Sequence, residues 1–283
     1  MTQVDTGIRR ARDLQDYQAC VDLQKAVWGF TESADVAALP LLVVGNRLGG
    51  NVLVAQEPSG RYIGFSYALL AKKPDGQEIW WSHMTAVLPE FRNQDIGLRL
   101  KLRQREEALN DGIEEIHWTF DPLQSANGHF NISKLGTIVR EYEENIYGLT
   151  SSTLHHGLPT DRFVAEWILN SDRVRERIDS SSPAVVLRDL DRIPCVNPGG
   201  IEPRLDEEDA DLLVAIPTRV QDLDPADIMR WQGNLRTACG HYFKAGYVVT
   251  DFIQFDEPNE QTFYLLTRGS GFPSLAKEGE AAP

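Results

Sequence analysis

Cysteine is scarce in this 283-residue chain: Cys20, Cys195 and Cys239 stand far apart, with no CxxC pair. That spacing excludes a disulfide framework and a zinc ribbon, and leaves buried thiols as the ordinary reading. Long apolar runs are also missing. The longest, from Ala37 to Gly45, is interrupted by Pro40 and falls well short of the ~20 residues that a bilayer span requires. The opening MTQVDTGIRR has no apolar signal core, so a cytoplasmic protein with no membrane partner is expected. Positive charge is in deficit, with 28 basic against 42 acidic residues and a net charge of −14. Such a chain repels nucleic acid and anionic membranes, which excludes both as non-specific partners. The chain also lacks a G-x-S-x-G elbow, a P-loop and an H-E-x-x-H helix.

What is present is an ordinary globular composition, 42% hydrophobic and 25% charged, long enough for one large domain or two modest ones. Ile8 to Arg12 reads as a strand. Asp13 reads as the N-cap of a helix with Leu14, Tyr17, Val21, Val27 and Trp28 at helical spacing. A shorter helix covers Pro40 to Leu48 and ends at Gly49-Gly50. Asn51 to Gln56 and Arg61 to Leu70 form a hairpin around Glu57-Pro58-Ser59-Gly60. A third strand, Glu78 to Val87, stops at Pro89. The helix over Gly97 to Asn110 carries Leu98, Leu102 and Leu109 as an apolar stripe, with Arg99, Lys101, Arg103 and Arg105 on a wet face. A strand over Ile113 to Asp121 completes a βαβ-type unit, whose helix N-terminus is a natural anion site. A helix from Asn127 to Leu135 and strands over Thr137 to Tyr147 and Arg162 to Leu169 follow.

The run Val87-Leu88-Pro89, then Arg92-Asn93-Gln94-Asp95-Ile96-Gly97, resembles the pyrophosphate loop of the GNAT superfamily of acyl-CoA-dependent N-acyltransferases. That loop reads R/Q-x-x-G-x-G/A between the family's fourth strand and third helix. The element order from residue 8 to about 170 is similar too, roughly 60% of the chain. WTFDPLQSANGHFN (118–131) and GLPTDRFVAEW (157–167) resemble a predicted-acetyltransferase branch of the same superfamily. The resemblance implies an α/β (α+β) fold with a mixed, mostly antiparallel central sheet flanked by helices. It implies acetyl-CoA or another acyl-CoA as co-substrate, no metal, and an amine on a small molecule or peptide as acceptor. Cofactor-binding positions carried over by the resemblance are the splayed strand end Thr85, Ala86 and Val87, and the loop Arg92, Asn93, Gln94, Asp95, Ile96, Gly97 and Leu98. Asn127, at the mouth of the next helix, joins them, with helix capping as its plain alternative.

Two departures stand out. Asn93 and Asp95 occupy positions where the family commonly has glycine, although Asn and Asp are the residues that best tolerate left-handed backbone after glycine. A carboxylate about 4 Å from a phosphate would cost up to ~4 kcal/mol at an effective dielectric of about 20, unless Asp95 points to solvent or pairs with Arg92 or Arg99. The tyrosine that serves many members as general acid, three residues before a Leu-Gly, is replaced by Ile132 before Leu135-Gly136. His129, Tyr142 and Tyr147 are the nearby substitutes. His83 is the candidate catalytic base, its imidazole titrating in a useful range; alternation puts it on the face of Thr85 and Val87, and a hydrogen-bonded structural histidine is the alternative. His155-His156 point to opposite sides of an extended chain, so no metal site is expected. Trp80 and Trp81 read as one core residue per face, or as a substrate platform.

These signals divide the chain into a GNAT-like acyl-CoA-binding domain (1–170), a linker (171–202) with one strand at Ala184 to Leu187, a C-terminal helix–hairpin subdomain (203–275) and a disordered tail (276–283). The C-terminal part reads as a strand near Leu212 to Ile216, a helix over Pro225 to Ala245 and strands over Tyr247 to Phe255 and Thr262 to Thr267. It resembles a partial second copy of the fold that would cap the cleft or form a homodimer surface, with Trp231, Arg236, His241 and Tyr242 facing the cleft. The expected function is direct acyl transfer from CoA to an amine. The alternative is a catalytically degenerate GNAT-like module that binds a ligand or partner.

Overall fold

A computed structural model describes residues 6–148, 151, 158–179, 192–254 and 262–269. His155, His156, the strand expected at 184–187 and the tail 276–283 lie outside the described residues. Strand β1 (Gly7–Arg10) leads into α1 (Leu14–Trp28), and Asp13 caps that helix by accepting from the Asp16 amide at 3.0 Å. Helix α2 (Leu39–Arg47) precedes β2 (Asn51–Gln56), β3 (Tyr62–Lys72) and β4 (Glu78–Val87). After α3 (Ile96–Asn110) come β5 (Glu115–Phe120), a short α4 (Ser125–Gly128) that widens into a π-helical turn (His129–Lys134), β6 (Ile138–Glu143) and β7 (Arg162–Ile168). The remaining described elements are α5 (Asp172–Asp179), β8 (Asp211–Ile216), α6 (Pro225–Lys244), β9 (Tyr247–Ile253) and β10 (Thr262–Arg268).

The ten strands among the described residues share one sheet, ordered β1-β2-β3-β4-β5-β7-β6-β9-β10-β8. Every neighbouring pair is antiparallel except β4–β5. The expected mixed, mostly antiparallel sheet with flanking helices is therefore what the chain forms. Helices α1 and α2 cover one face of β2–β4 around Tyr17, Leu42, Phe65 and Tyr67. A larger core joins Ala108 of α3, Ile132 of the π turn, Val174 of α5 and Trp231, Leu235 and Tyr242 of α6 to strands from β3 to β10.

The C-terminal strands thus continue the sheet instead of forming another. The seam between β6 and β9 has one ladder pair, Val139–Val249, and side chains reinforce it. Gly128 lets α4 approach β9 so closely that a Cβ would stand 2.4 Å from the Phe252 ring. Arg177 pairs with Asp251 at 2.7 Å, both nearly buried. Helix α5 falls where the sequence reads as linker; Val174 and Ile178, four residues apart, anchor it in the larger core despite its charge.

In α3 the burial pattern differs from the expected stripe. Ile96, Leu100, Lys101, Gln104 and Ala108 face inward, while Leu98, Leu102 and Leu109 are only half-buried. Lys101 is 2% exposed, so it does not belong to the wet face; its polarity masked the 3.6-residue period that runs through it.

Candidate functional site

The ladder between β4 and β5 consists of two pairs, Trp80–Ile116 and Trp81–His117. Beyond them β4 continues through residues 82–87 against β3, and β5 through 118–120 against β7, without pairing to each other. The result is a gap in the middle of the sheet, with the backbone of Thr85, Ala86 and Val87 along one side. Within β4 the register to β3 slips between Tyr67–Met84 and Ala68–Ser82, making His83 the extra residue of a β-bulge. The bulge breaks strict alternation. His83 lies edge-on to Tyr67, ring centroids 6.1 Å apart, on the face covered by α1 and α2, whereas Val87 packs with Leu100 of α3 on the other face. The expectation that His83 shares a face with Val87 fails for that reason. His83 is exposed on that face, and partial desolvation by its neighbours lowers its pKa, which favours the neutral, proton-accepting form.

The loop from β4 to α3 has the shape that its sequence demands. Pro89–Phe91 is a 3-10 turn, and Asn93 (φ 59°) and Asp95 (φ 57°) take left-handed backbone, where the family pattern has glycine. Asp95 is the N-cap residue of α3 but makes no side-chain cap, which leaves the first amides of the helix open to an anion. Its carboxylate pairs with neither Arg92 nor Arg99. Arg92 reaches the Val87 carbonyl (3.5 Å) and Arg99 the Thr6 carbonyl (2.5 Å), while Lys134, from the π turn across the gap, stands 3.6 Å from Asp95. Gln94 donates to the Glu90 carbonyl. Ile96 is buried, Leu98 half-buried, and a Cβ on Gly97 would stand 4.0 Å from the Phe130 ring. Loop, π turn and helix N-terminus therefore meet at the gap's outer end.

Beyond β5, α4 begins with Gln124 as its N-cap residue, and Asn127 sits inside the helix, which removes capping as its role. The wider π turn places Asn131 where its carbonyl accepts from the Trp118 indole at 3.1 Å. Ile132 is fully buried, so the position of the family's tyrosine offers no hydroxyl. Of the substitutes, Tyr142 donates to the buried Asp161 carboxylate at 2.6 Å, and Tyr147 is bonded to Thr119 at 2.8 Å. His129 has its pKa lowered by burial first and by the charge of Lys134 second.

On the face of His83 the sequence hides a second set of groups. Glu115 and His117 alternate along β5, with Nε2 of His117 2.8 Å from Glu115, and Lys73 and Gln77 also on that carboxylate. The hydrogen bond from His117, aided by those from Gln77 and Lys73, outweighs desolvation and holds Glu115 down at about 2. Glu166 of β7, opposite His117 in register, pairs with Arg140 at 2.9 Å; burial still pushes its pKa up. The signal was the polar alternation Glu115, His117, Thr119 in an otherwise buried strand. Trp81 is half-buried on this face, while Trp80 is core.

Of the C-terminal candidates, Trp231 and Tyr242 are core residues. Arg236 forks onto Asp161 through two bonds of 3.0 Å and, with His241, lines an open surface depression of about 610 Å³ on α6. Cys20 and Cys239 are buried, Cys195 is half-buried, and all three are free thiols. Among the described residues no cluster could hold a metal ion.

No family model matches the chain, and no curated protein matches it. Solved N-acetyltransferases resemble part of it. An Arabidopsis thaliana Naa50 in complex with a bisubstrate analogue is 16% identical with a TM-score of 0.45, over 58% of this chain and 98% of its own. The Escherichia coli ribosomal-protein-S18-alanine N-acetyltransferase is 13% identical with a TM-score of 0.46, over 59% and 95%. A putative acetyltransferase from Acinetobacter baylyi is 11% identical with a TM-score of 0.49, over 61% and 96%.

Proposed function

We propose that this chain is an acyl-CoA-dependent N-acyltransferase that moves an acyl group, acetyl foremost, directly from CoA to an amine. The observation that carries the reading is the two-pair β4–β5 ladder, whose gap opens beside the uncapped N-terminus of α3. A diphosphate would sit on those amides, and the pantetheine arm would run inward along the unpaired edge of β4. The acceptor would enter from the opposite face, over Trp81, His83 and His117. There the neutral His83 imidazole would take a proton from the acceptor nitrogen as it attacks the thioester carbonyl. Backbone amides along the inner part of the unpaired edge of β4 would stabilise the oxyanion.

The other reading, a non-catalytic binding module, draws on one observation: Lys134 and Phe130 lie across the N-terminus of α3 and Lys134 is occupied by Asp95. Calorimetric titration with acetyl-CoA and CoA separates the two, followed by a screen of amines for thiol release. Micromolar binding with acceptor-dependent release of CoA is expected. Absence of binding at both low and high salt would overturn the proposal in favour of the module.

A further inference from the structure

Lys101 occupies an unusual place. Ser82 on β4 follows Trp81, and Trp118 on β5 follows His117, the last pair before the strands part. The Lys101 ammonium reaches up from α3 between them. Its Nζ donates to Ser82 Oγ at 2.8 Å and to Gln104 Oε1 at 3.1 Å, and stands 3.6 Å from the centre of the Trp118 ring. The amine thus sits at the closed, inner end of the gap.

Three observations make this more than packing. The side chain is 2% exposed, and among the described residues no carboxylate forms an ion pair with it. Burying a lone ammonium carries a desolvation penalty that a Met or Leu would avoid. Its pKa falls well below the usual lysine value, with desolvation the cause. The polar groups of the gap are also unfinished: Nε2 of Gln104, whose Oε1 accepts from Lys101, is buried with no hydrogen-bond partner among the described residues, and so is Thr85 Oγ1 farther along the unpaired stretch of β4. Polar atoms left this way call for a ligand or water.

We propose that Lys101 is the proton donor to the sulfur that leaves the acyl group, meeting it at the inner end of the gap. The inference rests on the acyltransferase reading and supplies a group that the buried Ile132 cannot. In the step, the acceptor nitrogen forms its bond to the acyl carbon and the carbon–sulfur bond breaks. The sulfur keeps the bonding electrons and takes a proton from the Lys101 ammonium, and free CoA thiol departs. The neutral amine regains a proton from solvent, matching the one lost by the acceptor nitrogen to His83 and then to water. An ammonium without a counter-ion holds its proton weakly, which suits it to this donation.

The test compares CoA with desulfo-CoA, which lacks only the sulfur, by calorimetry on the full chain and on Lys101→Met. Wild type is expected to bind CoA about five- to tenfold more tightly than desulfo-CoA, the scale of one charge-assisted hydrogen bond. Lys101→Met should bring the two ligands level and leave desulfo-CoA binding unchanged. A second measurement needs no variant: thiolate absorbance of CoA bound to wild type, titrated with pH, should appear at least one pH unit below that of free CoA. If both ligands bind wild type equally and the bound thiol titrates as the free one, Lys101 does not touch the sulfur and this inference alone falls. If neither ligand binds, the acyltransferase reading falls and takes it along.

Discussion

Replacing Asp95 with glycine removes the carboxylate at the N-cap position of α3 and keeps a residue suited to φ 57°. The side chain of Asp95 is 60% exposed and 3.6 Å from Lys134, so water and that cation both weaken its field. Two charges about 4 Å apart interact by about 1 kcal/mol in water and about 4 kcal/mol at an effective dielectric of 20. An exposed carboxylate belongs near the lower figure, and a diphosphate carries more than one charge, so a gain of about 1–2 kcal/mol is expected. That is roughly five- to thirtyfold tighter binding of acetyl-CoA. Freed from Asp95, Lys134 can turn to the phosphates, which pushes in the same direction. Fold stability should hardly change, because an exposed ion pair contributes about 0–1 kcal/mol. The assay is calorimetry at low salt and again at 1 M, where the screening length drops to about 3 Å and the advantage of the variant should shrink below about threefold. An Asp95→Gly protein that binds acetyl-CoA no better than wild type at low salt would refute the electrostatic argument. A gain that survives undiminished at 1 M would refute it equally, shifting the cause to loop shape.

Three further outcomes are expected. Asp161→Ala strips a carboxylate that is 1% exposed and holds Arg236, Tyr142 and the Asn145 amide; urea unfolding should show a loss of about 3–5 kcal/mol, and a loss under 1 kcal/mol would disprove the clamp. Gly128→Ala drives a methyl group into Phe252 and should destabilise by about 1–3 kcal/mol, visible as a lowered midpoint in thermal unfolding; an unchanged midpoint would mean that the α4–β9 contact yields freely. Glu115, held down at about 2 by the His117 hydrogen bond above all, contributes stability that is fully present above the unfolded carboxylate value near 4.3 and is lost as pH falls through 2. Acid titration of Glu115→Gln against wild type should reveal a difference of up to about 3 kcal/mol, less what water screens; parallel curves between pH 5 and 2 would contradict it.

The local signals that proved legible were those with a backbone mechanism behind them. Asp13 caps its helix, β4 ends at Val87 ahead of Pro89, and Asn93 and Asp95 adopt the left-handed conformations that their positions in the loop require. Features decided by tertiary contact were hidden. Lys101 reads as a surface residue until Ser82 and Trp118 are brought around it. His83 changes face because one residue of β4 has no counterpart on β3, a slip that no hydrophobic pattern announces. Glu115, His117 and Glu166 belong to strands paired across long sequence separations, so their meeting depends on register. Asp172–Asp179 is helical because Arg173 and Arg177 find the Thr250 carbonyl and Asp251 on β9, partners that lie far ahead in the chain.

The single ladder pair between β6 and β9 has a consequence for anyone dividing the molecule. A fragment ending near residue 179 keeps the β4–β5 gap and the α3 loop, yet it leaves β6 as an outer strand with Ile138 and Val139 stripped of their covering. The main-chain donors and acceptors of such a bared strand offer a template to other chains. The shortened protein would then be expected to gather into aggregates on expression, although every residue assigned to acyl transfer is still in it. The C-terminal part thus acts as a permanent bandage on the sheet, and solubility, more than chemistry, sets the smallest usable length of this chain.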